Sequence, residues 1–147
     1  LTEPYNGYQQ VKTYRFKTHK DDLGIPIQTI RVKSLMVPPG VPDWSTRKRL
    51  VPAGSVNLVG RAWSGNGVPI VKVEVEVAGE WRAAKLSPKK DRYAWQKWTF
   101  SWQAKSGEYV LRCRASDVNG NMQPLDPPWD QAGFGNNSVQ GVHVFVP

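Results

Sequence analysis

Gly60-Arg-Ala-Trp-Ser-Gly-Asn-Gly-Val-Pro-Ile-Val-Lys-Val-Glu-Val-Glu-Val77 is the stretch whose reading decides the fold. Its second half alternates, with Val71, Val73, Val75 and Val77 on one side and Lys72, Glu74 and Glu76 on the other. A period of two is the pattern of a strand with one buried and one wet face. Its first half ends a second alternation, Val56, Leu58, Gly60 and Ala62, which reads as another half-buried strand. Between them Ser64-Gly-Asn-Gly67 offers residues that tolerate positive φ. The expected connection is a tight reversal that makes the two strands a hairpin.

Downstream, Ala78-Gly79 turns the chain into Glu80–Leu86, and Ser87-Pro-Lys-Lys-Asp91 forms a charged loop. Tyr93–Trp102 then carries three of the seven tryptophans. At period two, Trp98, Phe100 and Trp102 share one face while Tyr93, Trp95, Lys97 and Thr99 share the other, so both faces are expected to be covered. Glu108–Ala115 opposes Tyr109, Leu111, Cys113 and Ala115 to Val110, Arg112 and Arg114, which makes Cys113 a core residue. Asp117–Pro124 is rich in turn formers, Pro124–Asn137 is a long Pro/Gly loop, and Val139–Val146 is the last strand.

Upstream, Gln28–Met36 reads as a first strand, stopped by Val37-Pro-Pro-Gly-Val-Pro42, whose prolines remove donors and fix φ. Leu1–Lys20 places Tyr5, Tyr8, Tyr14 and Phe16 at no consistent period and reads as an irregular arm. Short strands punctuated by turns, with no amphipathic helix and with antiparallel connections throughout, give an all-β, immunoglobulin-like antiparallel β-sandwich with an irregular N-terminal arm.

Composition narrows the function. A chain of 147 residues fits one domain. A single cysteine excludes an internal disulfide framework and any multi-cysteine metal site. The formal charge of +8 is spread over Lys12–Lys20, Arg31 and Lys33, Arg47–Arg49, Lys89–Arg92, and Arg112 and Arg114. No dense stripe emerges, so no nucleic-acid partner is assigned. Nothing approaches the roughly 18 consecutive apolar residues of a membrane span, so no membrane partner is assigned either. Leu1–Gln10 lacks the pattern of a signal peptide, and with leucine at position 1 the chain is expected to be a fragment or a processed product.

Chemistry-bearing residues form no constellation. His19 and His143 are far apart in sequence and read as structural or solvated. Asp117, Asp126 and Asp130 flank turns, where a carboxylate commonly accepts from the backbone two residues on. A calcium loop needs denser oxygen spacing, and Ser64–Gly67 precedes a strand rather than the helix of a phosphate-cradling loop. Asn136-Asn-Ser138 fits a glycosylation acceptor. No catalytic, cofactor-binding or metal-binding residue is assigned in this chain. The seven tryptophans, Trp44, Trp63, Trp81, Trp95, Trp98, Trp102 and Trp129, allow two readings. They fill a sandwich core and its loops, or some form an exposed platform for sugar rings or a flat partner interface.

The ordered series of motifs adds a resemblance. Gly60–Val75 closely resembles the G-x-A-W-S-G-x-G…I-x-R-V-E-V signature that opens the dimerisation domain of sulfite oxidases and eukaryotic nitrate reductases. Trp81, the Trp95–Trp98 pair, Ala115-Ser-Asp-Val-Asn-Gly-Asn-Met-Gln-Pro124, and Trp129 with Gly133 are similar to its later motifs, so the resemblance covers most of Gly54–Val146. Tyr5–Phe16, with Gly7-Tyr-Gln-Gln and Tyr14-Arg, looks like the final segment of that family's molybdenum-cofactor domain.

The resemblance implies that residues 1–27 are the residual end of the cofactor domain and a linker, and that 28–147 are the dimerisation domain. It implies a homodimer bracing an upstream domain in which a pterin dithiolene and one cysteine hold molybdenum. The parent reaction would be oxygen-atom transfer, with sulfite oxidised to sulfate as the first guess. By the same resemblance the expected compartment is periplasmic or exported, or the mitochondrial intermembrane space. Cys113 matches no ligand position, so the chain holds no cofactor and is not catalytic in isolation. Two departures bear on substrate. Val68 stands where many sulfite oxidases carry an arginine that reaches the anion pocket, and Ala78-Gly79 shortens an acidic Asp-Gly-Gly turn. Loss of the guanidinium removes a charge-assisted contact to an oxyanion. The rival reading is a free-standing immunoglobulin-like binding module, carbohydrate-directed through exposed tryptophans.

Overall fold

The alternating segments close into two packed sheets. The computed structural model describes residues 2–147. In chain order the strands are β1 (Arg15–Phe16), β2 (Ile25–Pro26), β3 (Lys33–Val37), β4 (Val41–Pro42), β5 (Arg49–Leu50), β6 (Gly54–Trp63), β7 (Ile70–Val77), β8 (Glu80–Ala83), β9 (Lys85–Leu86), β10 (Gln96–Ala104), β11 (Gly107–Asp117) and β12 (Gly141–Val146). One sheet has the order β3-β6-β10-β9, the other β4-β5-β12-β11-β7-β8, and β1-β2 make a small ladder in the arm.

Inward side chains from both sheets build one core. Leu58 and Ala62 of β6, with Trp98, Phe100 and Trp102 of β10, meet Val73, Val75 and Val77 of β7, Leu111, Cys113 and Ala115 of β11, and Val144 and Val146 of β12. Burying each large aliphatic or aromatic side chain contributes about 1.5–3 kcal/mol. Gly60 is required by close packing, because a Cβ there would sit 2.2 Å from Cζ2 of Trp98. The buried indole is satisfied, since Nε1 donates to Oγ of Ser34 at 2.9 Å.

Several expectations are corrected. Ser64–Gly67 does not close a hairpin: β6 and β7 lie in different sheets, and the turn carries the chain from one layer to the other. Turn-forming residues specify a change of direction without specifying which strand is paired next. The connections are not all antiparallel, because β5 runs parallel to β12. Val71 faces solvent, being skipped where Lys72 pairs with Ser116 and Ile70 with Asp117; Ile70 takes the inward place. The opposite side of β7 is not simply wet, since Glu74 is only 9% exposed. Tyr93 and Trp95 precede β10 instead of lying in it, and its outward residues are Lys97, Thr99, Ser101 and Gln103, so its outer face is polar. The strand expected over Gln28–Met36 is β3 and begins only at Lys33, with Ile30 exposed before it. The arm contains a single π turn, Gln9–Thr13, in addition to β1 and β2.

Candidate functional site

The crossover between β6 and β7 is tied to its neighbours at several points. Ser64 Oγ donates to Oδ2 of Asp117 at 2.8 Å, and the same carboxylate accepts from the amides of Asn119 and Asn121 and from Nδ2 of Asn121. Burial alone pushes the Asp117 carboxyl up, but these donors outweigh it and hold it below the ordinary aspartate value. Gly65 N donates to the Ile30 carbonyl, and Lys89 Nζ donates to the Gly67 carbonyl at 3.0 Å. Val68 is extended (φ −56°, ψ 129°), as the residue before Pro69 must be.

Two clefts flank this loop, and Val68 lines both. One, of about 340 Å³, is bounded by Trp63, Lys89, Arg92 and Trp95. The other, of about 410 Å³, is bounded by Arg31, Asp117, Asn119 and Asn137. Trp63 and Trp95 stack with centroids 4.6 Å apart, and the Arg92 guanidinium lies 5.2 Å from the Tyr93 ring. The first cleft therefore pairs aromatic surface with cationic charge, and the position that departs from the resembling sequences stands at its edge.

The two outer sheet faces differ in charge. On the six-stranded sheet Arg112 pairs with Glu76, and Arg114 with Glu74, while Glu74 also receives Lys72. Beyond this ladder, register places Val41, Leu50 and Phe145 in one row, all exposed. On the four-stranded sheet the outward charges are all cationic.

The remaining candidates fall apart spatially or are occupied structurally. His19, His143 and Asp126 are exposed. Among the described residues no three His, Cys, Asp or Glu converge in a way that could hold a metal. Cys113 is a core residue as expected; Ser34 Oγ lies 3.4 Å from Sγ, and burial pushes its thiol up to about 11. Asp130 ties the arm to the sandwich by accepting from the amides of Lys17, Ala132 and Phe134. Arg49 is spent on the carbonyls of Pro38, Pro39 and Gly40, and Lys48 on Glu108. The tryptophans divide: Trp98 and Trp102 are core, Trp63 and Trp81 half-buried, and Trp44, Trp95 and Trp129 exposed on three separate loops.

Residue-level reading missed Gln123. It is fully buried and accepts from the amides of Ser34 and Ala115 while donating to the Ser138 carbonyl, so it links β3, β11 and the long loop. No periodicity signals a buried glutamine after a turn.

Residues 25–146 match the family described as the Mo-co oxidoreductase dimerisation domain. The chain belongs to that family. Its relatives include mitochondrial sulfite oxidase of Homo sapiens, 33% identical over 152 residues, covering 97% of this chain and 26% of the relative. Mitochondrial sulfite oxidase of Macaca fascicularis is 34% identical over 130 residues, 82% of this chain and 23% of the relative. This dimerisation domain thus spans about a quarter of the length of these relatives. Its fold matches the sulfane dehydrogenase SoxCD of Paracoccus pantotrophus with a TM-score of 0.76 at 20% identity, over 96% of this chain and 39% of that one.

Proposed function

We propose that this domain joins two copies of a molybdenum-cofactor oxidoreductase and braces the part of each subunit that holds the cofactor. The parent reaction in this reading is oxygen-atom transfer to sulfite, with the pterin and its cysteine ligand outside the chain. Residues 1–27 belong to the end of the cofactor domain and its linker, and 28–147 to the dimerisation domain. The observation that carries the reading is the family match over 25–146 on a two-sheet sandwich.

The six-stranded sheet supplies the face best suited to a two-fold contact. An isologous interface sets one patch against itself, so the patch must be self-complementary. The Glu74–Arg114 and Glu76–Arg112 pairs carry both signs in alternation, and Val41, Leu50 and Phe145 add apolar surface beside them. Sedimentation equilibrium of the chain at tens of micromolar tests the contact, with a dimer expected. Monomer alone at that concentration overturns it. Molybdenum content and sulfite turnover of the full-length protein test the parent activity.

A further inference from the structure

We propose that the outer face of the four-stranded sheet docks an acidic protein surface, separate from the contact between copies of this chain. Register sorts its outward side chains into cross-strand rows. Leu35, Arg61 and Lys97 form one row, and Val37, Val59, Thr99 and Lys85 form the next. Lys33 and Trp63 form the row on the other side. The four strands contain no Asp or Glu.

Arg61 and Lys97 stand directly opposite each other on neighbouring strands. Like charges in register repel and oppose folding. On the outer face of the six-stranded sheet Lys72, Arg112 and Arg114 each meet a carboxylate, and Arg49 donates to three carbonyls. Among the described residues Arg61, Lys85 and Lys97 meet no carboxylate, and the hydrogen bond Arg61 makes is to the adjacent carbonyl of Gly60 at 3.2 Å. A cation pair held in register by two long strands, without a counter-charge, is where an external anion gains most.

The neighbouring side chains select the class of anion. Leu35, Val37 and Val59 are aliphatic and interleaved with the cations. They offer nothing to a phosphate backbone or a base, which is read by cations and aromatic stacking, and Trp63 at the end of the face is already stacked on Trp95. A protein partner buries such residues while its carboxylates reach the cations around them, the arrangement of an apolar centre with a polar rim. A second copy using this same patch brings cations against cations, because the patch has no carboxylate to offer.

The test uses the full-length protein that carries this chain, with a fluorescein-labelled peptide of glutamates interrupted by leucines as probe. Anisotropy is read at low and at physiological ionic strength. Arg61→Gln combined with Lys97→Gln is compared with Lys90→Gln combined with Lys105→Gln, which removes the same charge elsewhere. The first pair is expected to weaken binding about tenfold or more and the second by less than about twofold. Equal losses in the two pairs, or no binding at all, overturn the proposal. Tighter binding of a single-stranded oligonucleotide of equal charge, lost in the first pair, overturns it in favour of nucleic acid. A changed dimer dissociation constant in the first pair assigns the face to the two-fold contact and overturns it as well. Unaltered melting of both variants guards against a folding defect.

Discussion

Arg114 donates from Nε to Oε2 of Glu74 across 2.8 Å, joining β11 to β7 on the outer face of the six-stranded sheet. The same guanidinium lies 4.2 Å from the Trp81 ring, which shields the pair from water. Glu74 is thereby an enclosed carboxylate held by two cations, and a pH dependence of stability is expected from it.

Glu74→Gln should lower stability at neutral pH by about 1.5–3 kcal/mol, the range for a hydrogen bond to a charged group. Burial pushes the Glu74 carboxyl up, but the bonds from Lys72 and Arg114 outweigh it and hold it below its ordinary value. A lowered folded-state pKa stabilises above the unfolded value of about 4.3 and the benefit is lost as pH falls through the folded value. Urea unfolding of both proteins checks this: their difference should close in acid. A gap of constant size from neutral to strongly acidic pH would show that the residue acts by packing.

Gln123→Leu should cost about 2–4 kcal/mol. Leucine fits the volume but leaves the amides of Ser34 and Ala115 without their acceptor inside the core. An unsatisfied buried donor costs about 1–3 kcal/mol. Chemical denaturation measures the loss, and an unchanged midpoint would refute the account.

Gly60→Ala should destabilise by about 1–3 kcal/mol through overpacking against Trp98 and the Leu35 carbonyl. Because the nearest atoms are on the six-membered ring of the indole, Trp98→Phe introduced into the Gly60→Ala protein should be less costly than Trp98→Phe alone. A double-mutant cycle reads that coupling. Strict additivity would mean that the clash is relieved elsewhere.

Cys113 should resist alkylation by iodoacetamide in the native protein and react at once in urea. Its thiol is pushed up to about 11 by burial, against weaker opposing bonds from Ser34 and Met36. A raised folded-state pKa stabilises fully below the unfolded value, near 8.5, and the benefit fades as pH rises toward the folded one. Cys113→Ala should therefore lose less stability than the unaltered chain between about pH 9 and 11. Rapid native alkylation at pH 8 would contradict the assignment to the core.

Val68→Arg in the full-length protein should tighten sulfite binding by about tenfold or more, the equivalent of a charged hydrogen bond of about 1.5–3 kcal/mol. Val68 lines both clefts at the crossover, and Pro69 holds its backbone extended. Steady-state kinetics provide the measurement. Unchanged or weaker sulfite binding would show that the side chain at 68 does not face the anion, or that Lys89 and Arg92 already supply the charge.

The sequence by itself determined most, though not all, of the strand residues that face the core, Val71 being the exception on β7. Leu58, Ala62, Val73, Val75, Trp98, Phe100, Trp102, Leu111, Cys113 and Ala115 were legible because a strand alternates strictly and one sheet face excludes water. The ordered tryptophan and glycine motifs likewise determined the family. Partnership between strands was decided only by the tertiary structure. Ser64-Gly-Asn-Gly67 suits a hairpin and a crossover equally, since positive φ reverses or redirects a chain without regard to which neighbour offers its hydrogen bonds. The same holds for the outer faces. That Glu74 is shielded while Arg61 and Lys97 stand opposed without a carboxylate follows from register between segments dozens of residues apart. Periodicity along one strand carries no information about the charge across from it.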